Sequence, residues 1–150
     1  MQTLCSSLLI LYAAIINFSQ LKDPVKWDFT AKKLREGIYE LHMTATIEKK
    51  WHIYSQSTPS DGPVATAFSF NKNPIATFDG TVKEVGKLET HFEKLFDTEV
   101  RQYSNKVDFI QKVKVKGKVK TTISGSVEYM ACNDKECLPP ATTKFSIKLQ

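Results

Sequence analysis

The 150-residue sequence reads as an all-β protein, an antiparallel β-sandwich. Three observations carry that reading. Side chains of one kind recur at every second position in short segments, as in Leu41, Met43, Ala45 and Ile47, the spacing that lines one face of a strand. These segments are separated by polar clusters rich in Pro, Gly, Asn and Asp, the residues that supply turn geometry. Helical spacing appears in a single stretch, Leu88 to Tyr103. Many short strands with polar turns and one helical turn at most are the pattern of a sandwich.

In chain order, Met1 to Gln20 carries no charged side chain. Its apolar run Leu8 to Phe18 is shorter than the roughly 20 residues a bilayer span needs. It fits the apolar region of an export signal, although no Lys or Arg precedes it. The expectation is a signal over residues 1–20, cleaved after Ser19 or Gln20, and one domain over residues 21–150. A short membrane anchor is the alternative. Cleavage would remove Cys5 and leave two of the three cysteines, a single pair. No later run is apolar enough to span a membrane.

Val25, Trp27 and Phe29 open the domain as an alternating strand, and Leu41 to Ile47 follows. Trp51 to Tyr54 is an aromatic strand, Thr58 to Pro63 a loop, and Ala65 to Phe70 a strand. Asn71 to Pro74 turns into two short strands, Ile75–Phe78 and Thr81–Val85, about Asp79-Gly80. In Leu88 to Tyr103, the spacing of Leu88, Phe92, Leu95 and Phe96 suits an amphipathic helix closing the sandwich. Val107, Phe109, Gln111, Val113 and Val115 share one parity, and the chain turns at Lys116-Gly117 or just after. A strand follows from Val119 through Tyr129. The last strand, Thr142 to Leu149, puts Phe145, Ile147 and Leu149 on one face.

The net charge is +5. Part of it is an alternating set, Lys112, Lys114, Lys116, Lys118 and Lys120, on one face if that strand is continuous. No aromatics interleave with it and no recognition motif accompanies it, which excludes a nucleic-acid partner. The lysines read as a solvated face guarding a sheet edge.

The chemistry-bearing stretch is Val127 to Pro140, VEYMACNDKECLPP. Cys132 and Cys137 flank a short polar loop between two strands. Residues facing each other across an antiparallel pair lie roughly 4.5–5.5 Å apart at Cα, within reach of a disulfide. Pro139 and Pro140 have no N–H, so strand pairing must break beside Cys137. Cys132, behind an aromatic stripe that includes Tyr129, should be the more enclosed sulfur. A zinc site fails for lack of ligands, since His42, His52 and His91 are scattered, so no metal or other cofactor is expected. A structural staple remains open, but so short a loop yields only about 2 kcal/mol. The other reading is a redox-active pair.

VEYMACNDKECLPP resembles the active-site segment of the N-terminal periplasmic domain of DsbD, the thiol:disulfide interchange protein: a strand with an aromatic, a first Cys, a short polar loop, a second Cys and Pro-Pro. Trp51-His52-Ile53-Tyr54 resembles that family's aromatic strand beside the cysteines. The likeness spans roughly Pro24 to Leu149. It implies an immunoglobulin-like sandwich in an exported, periplasmic protein-disulfide reductase or interchange component. Partners would be thioredoxin-like: an electron donor, and acceptors such as disulfide isomerases, cytochrome c maturation thioredoxins or a peroxide-handling protein. By resemblance Cys137 bonds the partner and Cys132 resolves the mixed disulfide. Trp51 and Tyr54 wall the site, and a Phe caps it, Phe96 first and Phe92 second. DsbD proper continues into a membrane carrier and a thioredoxin-like domain, whereas this sequence ends at Gln150, so a separate donor is expected. No histidine is near the cysteines in sequence, so any shift of a thiol pKa must come from the fold. The alternative function is an immunoglobulin-like binding module with a structural Cys132–Cys137 disulfide.

Overall fold

A computed structural model describes residues 23–150; the expected signal, its cleavage point and Cys5 lie outside them. The described residues form eleven strands and no helix. In chain order these are Val25–Arg35 (β1), Ile38–Ile47 (β2), His52–Tyr54 (β3), Ala67–Phe70 (β4), Ala76–Gly86 (β5), Glu89–Glu93 (β6), Thr98–Ser104 (β7), Lys106–Val115 (β8), Thr121–Tyr129 (β9), Ala131–Cys132 (β10) and Ala141–Leu149 (β11). They pair antiparallel into three sheets, ordered β1-β2-β8-β5, β11-β9-β4 and β10-β3-β7-β6. The result is an immunoglobulin-like sandwich.

The first two sheets pack face to face. Leu41, Met43 and Ala45 from β2 and Val107, Phe109 and Val113 from β8 meet Ile123, Val127, Phe145 and Ile147 in one buried core. Trp27 crosses the interface, with ring centroids 5.4 Å from Tyr129, 5.8 Å from Phe109 and 6.0 Å from Phe68. Rings at these spacings add to the area they bury. The third sheet is two-faced because adjacent strand residues point to opposite sides. Ile53, Tyr103 and Ala131 face the main core, whereas Tyr54, Val100 and Cys132 form a separate buried cluster on the other face.

Three expectations change. Leu88 to Tyr103 is not a helix but the hairpin β6–β7, with Glu93 opposite Thr98 and a turn between them. Pairing with β3 and β6 satisfies the β7 backbone across strands, which overrides the i, i+4 coincidence of its apolar residues. The two short strands about Asp79-Gly80 are one strand, β5, with a bulge between Asp79 and Lys83 and Gly80 at φ 71°. The lysine set is also divided. β8 ends at Val115, so Lys116, Lys118 and Lys120 fall outside it, and β8 lies between β2 and β5 rather than at an edge. Lys112 and Lys114 project from the solvent face of an interior strand, and Lys114 pairs with Asp79 at 3.2 Å.

Candidate functional site

Short local bonds build the cysteine loop. Asn133 Oδ1 accepts from the backbone N–H groups of Lys135 and Glu136, both at 2.9 Å, and the Asn133 N–H donates to the Glu136 carbonyl at 2.9 Å. This is an Asn-headed turn. It brings Cys132 and Cys137 into a single antiparallel bridge, disulfide-bonded with Cα atoms 4.1 Å apart, closer than a regular pair. The Leu138 N–H still donates to the Ala131 carbonyl at 2.9 Å; Pro139 and Pro140 then interrupt the ladder, which resumes at Ala141 opposite Tyr129.

The two sulfurs lie in different surroundings. Cys132 is fully buried with Tyr54 and Val100, while Cys137 is partly exposed. Phe96 packs against the same cluster from the β6–β7 turn, and Phe92, 58% exposed, does not. The turn places Phe96 there through the Phe96 N–H to Glu93 carbonyl bond at 3.2 Å and Asp97 at φ 53°, a conformation Asp tolerates better than most residues.

Strand parity separates the remaining aromatics. Tyr54 shares a face with Cys132, but Trp51 and Tyr129 belong to the main core, so Cys132 is enclosed by Tyr54 and Val100 rather than by the Tyr129 stripe. Trp51 instead borders a hollow with Asn133, Asp134 and Lys135 of the cysteine loop. Tyr129 borders another, of about 380 Å³, with Leu138, Pro139 and Pro140, and its hydroxyl donates to Asp23 at 3.2 Å.

A polar group lies on the disulfide face. His52, 6% exposed, is the direct cross-strand partner of Cys132. Its Nε2 is 3.1 Å from Tyr54 Oη and 3.9 Å from Glu93 Oε2. Burial holds the imidazole below its ordinary value, against the opposing pull of Glu93. Burial pushes the Tyr54 hydroxyl up, with Glu93 adding to it. In the sequence His52 is scattered from the other histidines and from the cysteines. The available signal was its two-residue spacing from Tyr54, which puts both on one face of a strand. Glu93 left no such signal, because it reaches His52 through the pairing of β6 with β7 and β7 with β3. Among the described residues no cluster of His, Cys, Asp and Glu is arranged to hold a metal.

Residues 20–149 match the family described as Thiol:disulfide interchange protein DsbD, N-terminal. The chain belongs to this family. Solved structures share its fold. The N-terminal periplasmic domain of ScsB from Proteus mirabilis matches with TM-score 0.60 and 17% identity over 85% of this chain and 47% of that one. The chain thus spans about half the length of that neighbour. The Neisseria meningitidis DsbD N-terminal domain in its reduced form matches with TM-score 0.56 and 13% identity, over 83% of this chain and 84% of that one. At these identities the likeness is one of fold. No curated protein sequence matches the chain. No helix among the described residues of this DsbD N-terminal domain is long and apolar enough to cross a membrane.

Proposed function

We propose that the chain is an exported, periplasmic protein-disulfide reductase component, with a signal over residues 1–20 and an interchange domain over 21–150. It passes reducing equivalents from a separate thioredoxin-like donor to thioredoxin-like acceptors of the disulfide-isomerase or cytochrome c maturation kind. The observation that supports this most is the asymmetry of the pair: one buried sulfur, Cys132, bonded to one partly exposed sulfur, Cys137, beside Phe96. In the reduced domain the Cys137 thiolate attacks the partner's disulfide and releases one partner thiolate. The Cys132 thiolate then attacks Cys137 Sγ, closes the Cys132–Cys137 bond and releases the second. Two thiols are oxidised and one partner disulfide is reduced. Phe96 shields the sulfurs until a partner moves it aside.

Trapping tests the division of labour. Cys132→Ser should accumulate a stable mixed disulfide with a thioredoxin-like partner, and Cys137→Ser little. Both variants should fold, since so short a loop contributes only about 2 kcal/mol. Equal trapping would reverse or erase the roles. Unfolding of both, with nothing trapped, would make the pair a staple and the domain a binding module.

A further inference from the structure

His52 occupies a place that a structural histidine does not require. It lies directly across the ladder from Cys132, where paired side chains share a face with Cβ atoms roughly 4.5–5.5 Å apart. Its Nε2 faces two oxygens, Tyr54 Oη at 3.1 Å and Glu93 Oε2 at 3.9 Å. In the tautomer that donates Nε2–H toward these oxygens, the Nδ1 lone pair is left to accept a proton. Glu93 itself is held in place: its Oε1 accepts from the Leu95 N–H at 3.3 Å, within the turn that carries Phe96.

The surroundings favour a neutral ring that can take up charge. Facing His52 are Tyr54 on its own strand, Glu89, His91 and Glu93 on β6, Gln102 and Ser104 on β7, and Asp134 on the cysteine loop. The His91 ring is 6.1 Å away, edge to face, and opposes a positive charge, while the three carboxylates favour one. Gln102 Oε1, on the strand position opposite Tyr54, is buried without a hydrogen-bond partner among the described residues.

We propose that His52 is the proton acceptor for the Cys132 thiol in the resolving half of the exchange, with Glu93 orienting it. This rests on the interchange reading above. Cys132 Sγ–H gives its proton to His52 Nδ1. The thiolate attacks Cys137 Sγ, the Cys132–Cys137 bond forms, the bond from Cys137 to the partner sulfur breaks, and that sulfur leaves with the electron pair. A buried thiol needs this help more than Cys137 does, because burial in apolar surroundings disfavours the thiolate.

The test reacts the reduced full chain with an aromatic disulfide reagent, 5,5′-dithiobis(2-nitrobenzoate), and follows release of the coloured thiolate. The first release reports attack by Cys137, the second resolution by Cys132. In the wild type the second phase should follow an acidic limb at histidine-like pH. In His52→Gln it should slow by about 10²-fold, in the range of general-base catalysis, with the first phase little changed. Its remaining rate should rise with pH toward the ordinary thiol range near about 8.5. Glu93→Gln keeps the base, so the rate above the limb should survive while the limb moves to lower pH. An unchanged second phase in His52→Gln would overturn the proposal, as would loss in Glu93→Gln with His52→Gln intact. Should His52→Gln not fold, a wild-type second phase with no limb below the thiol range overturns it equally. A wild type that releases no second thiolate would overturn the interchange reading itself, an outcome distinct from the others.

Discussion

At the scale of single residues, parity decides what each aromatic does. Tyr54 and Cys132 sit on one face of their sheet, and Ile53 and Ala131 on the other, so a shift of one residue in the β10–β3 register would put the sulfur in the main core. Phe96 differs from the core rings because it reaches the cluster from a turn and stays partly exposed. Phe96→Ala should therefore speed reduction of the disulfide by small thiols. It should cost much less than the about 3–5 kcal/mol of a core Phe truncation. Phe92→Ala, at an exposed position on the opposite side of β6, should leave that rate unchanged. Stopped-flow reduction and thermal melts check both. Unchanged kinetics with a large loss of melting temperature in Phe96→Ala would make Phe96 a core residue and not a shield.

At the scale of elements, strands with one buried face were legible, because alternation survives in the sequence wherever one side of a sheet is wet. β2, β8 and β11 are of this kind. The hairpin β6–β7 was not, because its stem is short and Leu88, Phe92 and Leu95 are all exposed; their helical spacing records no packing. The cysteine pair was legible for the opposite reason, since its partners are neighbours in sequence. What joins β5 to the third sheet was hidden, because much of it is one long-range side chain. Glu84 Oε2 accepts from Ser55 Oγ at 2.7 Å and Tyr103 Oη at 2.8 Å, and Oε1 accepts from the Gln56 N–H at 2.7 Å. Hydrogen bonds to a charged group contribute about 1.5–3 kcal/mol each. A neutral amide keeps part of this, so Glu84→Gln should lower stability by about 2 kcal/mol. The urea midpoint should fall at constant slope. An unmoved midpoint would mean that apolar contacts alone hold the junction.

At the scale of the whole molecule, buried groups that titrate set the pH range of the fold. Burial holds His52 below its ordinary value of 6.5. As pH falls below 6.5, the unfolded chain takes up a proton that folded His52 refuses. Stability is therefore full above that value and declines as pH drops toward the folded pKa. The tyrosines act with the opposite sense. Tyr54, Tyr103 and Tyr129 are raised from 10.0, each first by burial, with Glu84 adding to Tyr103 and Asp23 to Tyr129. Above pH 10.0 the unfolded tyrosines lose protons that the folded ones keep, so stability present below that value declines as pH rises. Urea midpoints of the oxidised protein should form a plateau between these limits and fall on both sides. The two limbs belong to different residues and should separate by mutation. His52→Gln should flatten the acid side only. Glu84→Gln, which removes one of the groups raising Tyr103, should make the alkaline side shallower while lowering the plateau. If the midpoint stays level above pH 10.0, the three hydroxyls ionise as readily in the folded protein as in the unfolded chain, and burial does not hold them protonated.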